Sequence, residues 1–397
     1  QSPLKTRSRK DWGRLGMRSN IREVLVGDIY ESISDTYKGD AENVVLINTS
    51  DVLTGEVLNH QKVPNKNLKG QFKKTFKKND ILYSEIRPIN QRNAFVNFDP
   101  ENYIASTKLM VLRPKSKDVV PEYMFRFLNS DYVLRYLQSL AETRSGTFPQ
   151  ITFSELASIP IKLPNVDTQH SIIDVLSCLD NKIQLNNKIN ENLEEQAQAI
   201  FKSWFVDFEP FQDGEFVESE LGLIPKGWKI EKLGELIDVK YGKDHRALSD
   251  GDIPVYGSGG IMRYVDKSLY EKETVLIPRK GSLNNVTLIN HPFWSVDTMF
   301  YTQMKIENFT KFLYHLLLMK DLASMNVGSA VPSMTVSLLN EIKFALPPMS
   351  ILAEFENITS AIYNLIWSNQ KENLILSNIR DTLLPKLMSG EIEVPVE

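Results

Sequence analysis

The stretch "LDNKIQLNNKINENLEEQAQAI", residues 179–200, holds no glycine or proline and reads as a helix, yet asparagines stand where its apolar stripe calls for leucine. Alternate steps of four and three residues from Ile172 reach Leu176, Leu179, Ile183, Asn186, Asn190, Leu193, Ala197, Ile200 and Trp204, a seam of period 3.5. A second seam lies 183 residues further on: Phe355, Thr359, Ile362, Ile366, Asn369, Asn373, Leu376, Arg380, Leu383 and Leu387. Both carry two asparagines at equivalent places. Run antiparallel, the seams set Asn186 against Asn373 and Asn190 against Asn369, and the same register brings Leu176 to Leu383, Leu193 to Ile366 and Trp204 to Phe355. A buried amide left unpaired costs about 1–3 kcal/mol, so these asparagines are expected to fix the alignment of a helix pair. Leu179 then faces Arg380, whose guanidinium has to reach outward. Pro385 is expected to end or kink the second helix near Leu384.

The offset of 183 extends beyond the helices. "TFPQITFSELASIPIKLP", 147–164, matches "AVPSMTVSLLNEIKFALP", 330–347, with both prolines kept. Weaker echoes lie upstream: "VGDI" at 26–29 with "LGEL" at 233–236, "NDILYSEIR" at 79–87 with "ETVLIPRKG" at 273–281, and "YMFRFL" at 123–128 with "FLYHLL" at 312–317. Each half therefore runs from an extended module through a short apolar helix and a Pro-bounded strand into one long helix. The expected fold is α+β: two mixed, β-rich domains separated by a pair of long antiparallel helices, a coiled coil with pseudo-twofold internal symmetry. The expected boundaries are 17–146 for the first domain, 147–206 for the first helical region, 207–228 for a linker, 229–329 for the second domain and 330–393 for the second helical region. Residues 1–16, ahead of Met17, are set aside as a leader or an added segment.

Of 397 residues, 42% are hydrophobic and 24% charged, enough for two cored domains. No apolar run approaches ~18 residues, so no membrane span is expected and the chain reads as cytosolic. The single cysteine, Cys178, allows no internal disulfide, and the five histidines have no metal-ligand spacing. Net charge is only −4 but unevenly placed: residues 60–126 carry fourteen Lys and Arg against six acids, and 171–220 carry three lysines against eleven acids. The first segment suits phosphate, the second a protein partner or water.

The phrases "NDILYSEIRP", "SGTFPQITFSELASIPIKLP", "AIFKSWFVDFEPF", "LGLIPKGWKIEKLGEL", "IPVYGSGGI", "TVLIPRKGSLNNV", "FWSVDTMFY" and "RDTLLPKLMSGEI" together resemble the specificity subunit of Type I restriction–modification enzymes, from about residue 20 to 393. The resemblance implies two target-recognition domains that bind a bipartite site in double-stranded DNA, with no catalysis in this chain. It also implies recruitment of two methyltransferase subunits, which use S-adenosylmethionine, and of restriction subunits, the motor-nucleases; no cofactor or metal is expected here. An enzyme acting alone is the poorer reading, because the only Pro-Pro is "LPPM", which matches Pro164 of the other half. A helical adaptor without DNA is the other alternative.

Phosphate contacts call for Lys and Arg, and base reading for Arg, Asn, Gln and Ser on loops. In the first domain these are Lys73, Lys74, Lys77 and Lys78 for phosphate and Arg87, Gln91, Arg92 and Asn93 for bases, with Arg144 and Ser145 at the junction before the repeat. In the second they are Arg279, Lys280, Ser282, Asn284 and Asn285 around Gly281, and Tyr256, Ser258 and Arg263 beside "GSGG". Trp204, Phe205, Phe208 and Phe211, mixed with acids, are candidates for docking the methyltransferase.

Overall fold

The computed structural model describes residues 21–66, 70–143, 149–325 and 332–395. Two compact units form: one from the residues up to Gln184 together with those from Asn373 on, the other from Leu185–Glu372. Each takes its β-rich module and one end of each long helix, Val166–Phe205 and Met349–Ser389.

The first unit has two four-stranded sheets. One is antiparallel in the order Tyr30–Ile33, Leu109–Pro114, Ile81–Ser84, Asn93–Phe95. The other runs Lys62–Pro64, Asn43–Ile47, Tyr103–Ser106, Phe72–Lys74, and its two middle strands are parallel. Ile81, Leu82, Val111 and Leu112 are fully buried, so the strands Ile81–Ser84 and Leu109–Pro114 form a two-sided core rather than a half-wet sheet. The second unit holds an antiparallel sheet ordered Ile237–Tyr241, Met299–Met304, Thr274–Pro278, Thr287–Ile289, beside a three-stranded sheet centred on Ile253–Gly257.

The internal repeat is structural down to single glycines. Arg22–Leu25 pairs antiparallel with Pro160–Leu163, and Lys229–Lys232 pairs in the same way with Lys343–Leu346. In the first pair Val26 donates to the Ile159 carbonyl at 3.0 Å; in the second Leu233 donates to that of Ile342 at 2.9 Å. A β-carbon on Gly27 would meet Ala157 at 2.9 Å, and one on Gly234 would meet Asn340 at 2.8 Å. Ala157 and Asn340 are themselves repeat equivalents, so the faint echo of "VGDI" in "LGEL" records one close helix approach made twice. The Pro-bounded strands thus complete the β-rich modules and are not the start of a separate helical region. Residues 207–228 are likewise more than a linker: they hold the hairpin Phe216–Ser219/Gly222–Pro225.

Within the second unit, the amide of Asn369 donates to Asn190 Oδ1 at 2.8 Å, the pair that the seam count sets opposite. Asn190 in turn donates to the Ile366 carbonyl at 3.4 Å, and the fully buried Asn186 donates to Glu372 at 2.8 Å. Trp204 and Phe355 have ring centroids 6.2 Å apart. Asn190→Leu alone strands the Asn369 amide and is expected to cost about 1–3 kcal/mol. Asn190→Leu with Asn369→Leu is expected to recover most of that loss in urea unfolding, because both paired amides leave together. A double mutant no more stable than the single one would contradict the pairing.

In the first unit, Ile172, Leu176 and Leu387 share one core with Leu383. Arg380 reaches past Leu179 to Asp180 at 3.0 Å and to Asp381 at 2.8 Å. The expected end at Leu384 is corrected: the helix continues through Pro385 to Ser389. Leu387 and Met388 are buried to 4% and 8% exposure, and their packing outweighs the missing hydrogen bond at the proline.

Candidate nucleic-acid interface

The central buried strand of each module, Ile81–Ser84 or Thr274–Pro278, feeds a loop that the repeat segment grips in the same way. Arg87 donates its backbone N–H to the Pro149 carbonyl at 3.1 Å, and Gly281 donates to that of Pro332 at 3.3 Å. Ile151 donates to Glu85 at 2.8 Å, and Met334 to Arg279 at 2.9 Å. Bridges join Ile86 with Gln150 and Lys280 with Ser333. The loops 87–93 and 281–287 are therefore one turn in two copies, and they carry most of the base-reading candidates.

Their conformations explain one sequence difference. Arg87 and Gly281 are equivalent and both left-handed, with φ of 46° and 86°. Glycine adopts that region freely, whereas a residue with a β-carbon loses about 1–2 kcal/mol there. Gln91, with φ of 49°, is strained in the same sense. Gly281 also brings its loop against the "GSGG" turn: a β-carbon there would lie 2.9 Å from Ser258 Oγ, and Asn285 donates to the Ser258 carbonyl at 2.8 Å. The two candidate stretches of the second domain thus form one surface.

Several side chains proposed from the sequence are occupied. Lys74 donates to the Leu109 carbonyl at 2.8 Å, and burial holds its ammonium below its ordinary pKa, so it braces a strand instead of meeting phosphate. Lys73, Lys77 and Lys78 are exposed. Asn93 is 1% exposed and donates to Asn129 at 2.6 Å, which withdraws it from base contact. Arg92 is half-buried and bonded to the Ser50 carbonyl at 3.2 Å. Arg263 is fixed by Asp250 at 2.8 Å and the Leu248 carbonyl, and Asn284 by Asp321 and the N–H of Ala323. These three side chains are tied to neighbouring residues in the free chain. Arg144 and Ser145 lie outside the described residues.

Lys280 and Ser282 are exposed, and Arg279 lies over the Tyr241 ring at 5.4 Å while bonding the Asp297 carbonyl. Tyr256 is half-buried beside His291 at 3.3 Å, and burial with the neighbouring Tyr264 pushes its phenol up to about 12. Sequence reasoning missed the loop after Ile237–Tyr241, where Lys243 and Arg246 are exposed. Arg246 forks onto Asp244 at 3.0 and 2.8 Å and holds that carboxyl well below its ordinary range. With the "GSGG" turn and Asp297 this loop encloses a cleft of about 550 Å³. The available signal was "KYGKDHR", 240–246, basic residues around Gly242, whose added β-carbon would strike the Val296 carbonyl at 2.0 Å.

The aromatic docking candidates differ in burial. Phe205 is 8% exposed and packs on Phe312 and Phe355 at 4.9 and 5.0 Å. Phe208 and Phe211 each lie 5.3 Å from Trp228, and Trp204 meets Phe205 and Phe355. Phe205 belongs to the core beneath the hairpin, and Trp204, Phe208 and Phe211 are half-buried against it.

The profile of the Type I restriction modification DNA specificity domain matches residues 26–195 and 225–376, one copy in each half. The HindI specificity subunit of Haemophilus influenzae is 32% identical, over 94% of this chain and 100% of that one. The MjaIX specificity subunit of Methanocaldococcus jannaschii is 30% identical over 70% of each. A Type I restriction–modification S subunit crystal structure from M. genitalium matches with a TM-score of 0.53 at 19% identity, over 94% of this chain and 98% of that one, a likeness of fold. A duplicated module with divergent loops and a family profile that matches each copy lead to one assignment: the chain belongs to the DNA specificity subunits of Type I restriction–modification enzymes.

Proposed function

We propose that the chain reads a bipartite, asymmetric site in double-stranded DNA, one half with each β-rich module, across a gap set by the long helices. One observation carries this reading: the loops 87–93 and 281–287 hang from matching hydrogen bonds to Pro149 and Pro332 yet present different side chains. One scaffold with two chemistries suits two unlike half-sites. The antiparallel coiled coil is the spacer of the proposal. Helices of 40 and 41 residues correspond to roughly 60 Å at ~1.5 Å per residue, a reach on the order of 17 base pairs. Phosphate contacts fall to Lys73, Lys77, Lys78, Lys243 and Lys280, and base reading to Arg87, Gln91, Arg279, Ser282 and Asn285, with Tyr256 and Ser258 at the cleft.

The chemistry is left to partners: two methyltransferase subunits, which bring S-adenosylmethionine, and motor-nuclease subunits. No helix among the described residues is long and apolar enough to cross a membrane.

Inserting four residues after Asn186 and four after Glu372 tests the spacer. Each insertion adds about 6 Å and roughly 40° of rotation, near the rise and twist of one or two base pairs. The expected result is a gap one or two base pairs longer with both half-sites unchanged, read by selecting random duplexes with the assembled methyltransferase. An unchanged gap, or altered half-sites, would contradict the ruler.

A further inference from the structure

The two copies of the reading loop differ most where their equivalent apolar residues point. Leu283 of the second copy is 2% exposed, whereas its equivalent in the first, Ile89, is 45% exposed. Nothing about isoleucine requires that eversion; the backbone imposes it. Ile89 sits in the middle of a 3₁₀ turn, Pro88–Asn90, bracketed by the left-handed Arg87 and Gln91. Non-glycine residues stay in that region only where their surroundings over-determine it, and such strain gathers at functional loops. Here Asn90 donates to the Arg87 carbonyl and Gln91 to that of Pro88, both at 2.9 Å, while Thr54 donates to the Gln91 carbonyl at 2.9 Å. These bonds and Gln138 Oε1, which accepts from the Ile89 N–H at 3.4 Å, fix the turn with the isoleucine 45% exposed.

The chemistry around it selects an occupant. Residues 87–93 contain no acid and lie within a segment, 60–126, of fourteen Lys and Arg against six acids; of their two arginines, Arg92 is taken by the Ser50 carbonyl and Arg87 is exposed. Arg87 and Asn90 are exposed on either side of Ile89. An apolar residue beside an exposed arginine fits a polyanion with an apolar, stacked interior. Proteins that kink DNA insert Ile, Leu, Met or Phe between base pairs in this way.

We propose that Ile89 is a wedge that enters between two adjacent base pairs of the first half-site and kinks the duplex there, with Arg87 and Asn90 against the flanking backbone and base edges. The proposal rests on DNA reading by the first module. It makes part of that module's specificity a matter of how easily a step unstacks, so a pyrimidine–purine step is expected under the loop.

The test uses the chain assembled with its methyltransferase on the duplex it selects, with bending read by energy transfer between dyes at the duplex ends. The wild type is expected to kink the duplex. Ile89→Ala is expected to lose the kink and about tenfold in affinity for the selected site, the scale of one lost apolar contact. Its melting temperature, its binding to random duplex and its second half-site should be unchanged. Ile89→Met should keep both kink and affinity. A kink and an affinity that survive Ile89→Ala overturn the wedge while leaving the reading function intact, as does an Ile89→Ala loss accompanied by a lower melting temperature that Ile89→Met shares. Failure of the wild type to select any first half-site overturns both.

Discussion

Replacing Phe355 with alanine is expected to destabilise the second unit by about 3–5 kcal/mol, the usual cost of emptying a large aromatic site in a closed core. Phe355 is fully buried, with ring centroids at 5.0 Å to Phe205, 5.9 Å to Phe201, 6.0 Å to His315 and 6.2 Å to Trp204. Those neighbours come from the first long helix and the helix Thr310–Leu318, so one ring joins three helices. Its repeat equivalent is Ile172, 2% exposed in the core of the first unit. Urea unfolding followed by hydrogen exchange should show the protection of the second unit lost first in Phe355→Ala, and that of the first unit lost first in Ile172→Ala. Equal loss across both units in either variant would mean that the long helices make a single cooperative block.

The second large effect is on pH. His315 is 1% exposed, and its ring lies between Gln198 Oε1 at 2.8 Å and the Tyr363 hydroxyl at 3.0 Å. With Nδ1 donating to the Gln198 oxygen, Nε2 accepts from the Tyr363 hydroxyl, so the neutral ring is satisfied at both nitrogens. Burial pushes the imidazole down to about 3. The unfolded chain takes a proton near the ordinary histidine value of 6.5 and the folded unit does not, so stability is present above that value. It falls by about 1.4 kcal/mol per pH unit below 6.5 and levels off near 3. Glu194, raised by burial and by Glu191, acts in the opposite sense, since its cost at neutral pH is relieved as it protonates. Glu273, also raised by burial, does the same, so the histidine's share between pH 6.5 and 5 is the part of the slope that His315→Gln removes. Unfolding free energies between those limits should show the slope in the wild type and lose it in His315→Gln. A wild type with a flat profile would mean that the ring is protonated in the folded unit.

The same position shows how the repeat was legible and where it stopped. Arg126 occupies the place of His315 in the echo of "YMFRFL" with "FLYHLL", and it binds Asp180, the equivalent of Tyr363, at 2.7 Å. One junction is ionic and the other neutral, so matching letters fails although the contact is conserved in space. The helix register could be read because asparagines in an apolar seam have few low-cost partners. The candidate loops could be picked out because glycine and basic residues cluster after a buried strand. Individual reading residues were less accessible: Lys74, Asn93 and Arg263 have the right chemistry, but carbonyl and carboxylate partners distant in sequence claim them. Composition cannot reveal such pairings. In "SWFVDFEPF" the aromatics divide in a way that composition does not show: Phe205 is core, while Trp204, Phe208 and Phe211 stay half-buried against it. Pro385 misled because local propensity was weighed without the burial of Leu387 and Met388.

The proposed function gives one chain two readers for one split site and leaves the chemistry to its partner. Selecting a random duplex library with the chain and its methyltransferase, and then adding S-adenosylmethionine, tests this most directly. Two short, unlike motifs at one fixed separation, methylated only when both proteins are present, are the predicted result. A single contiguous motif, no enrichment, or methylation by this chain alone would contradict it.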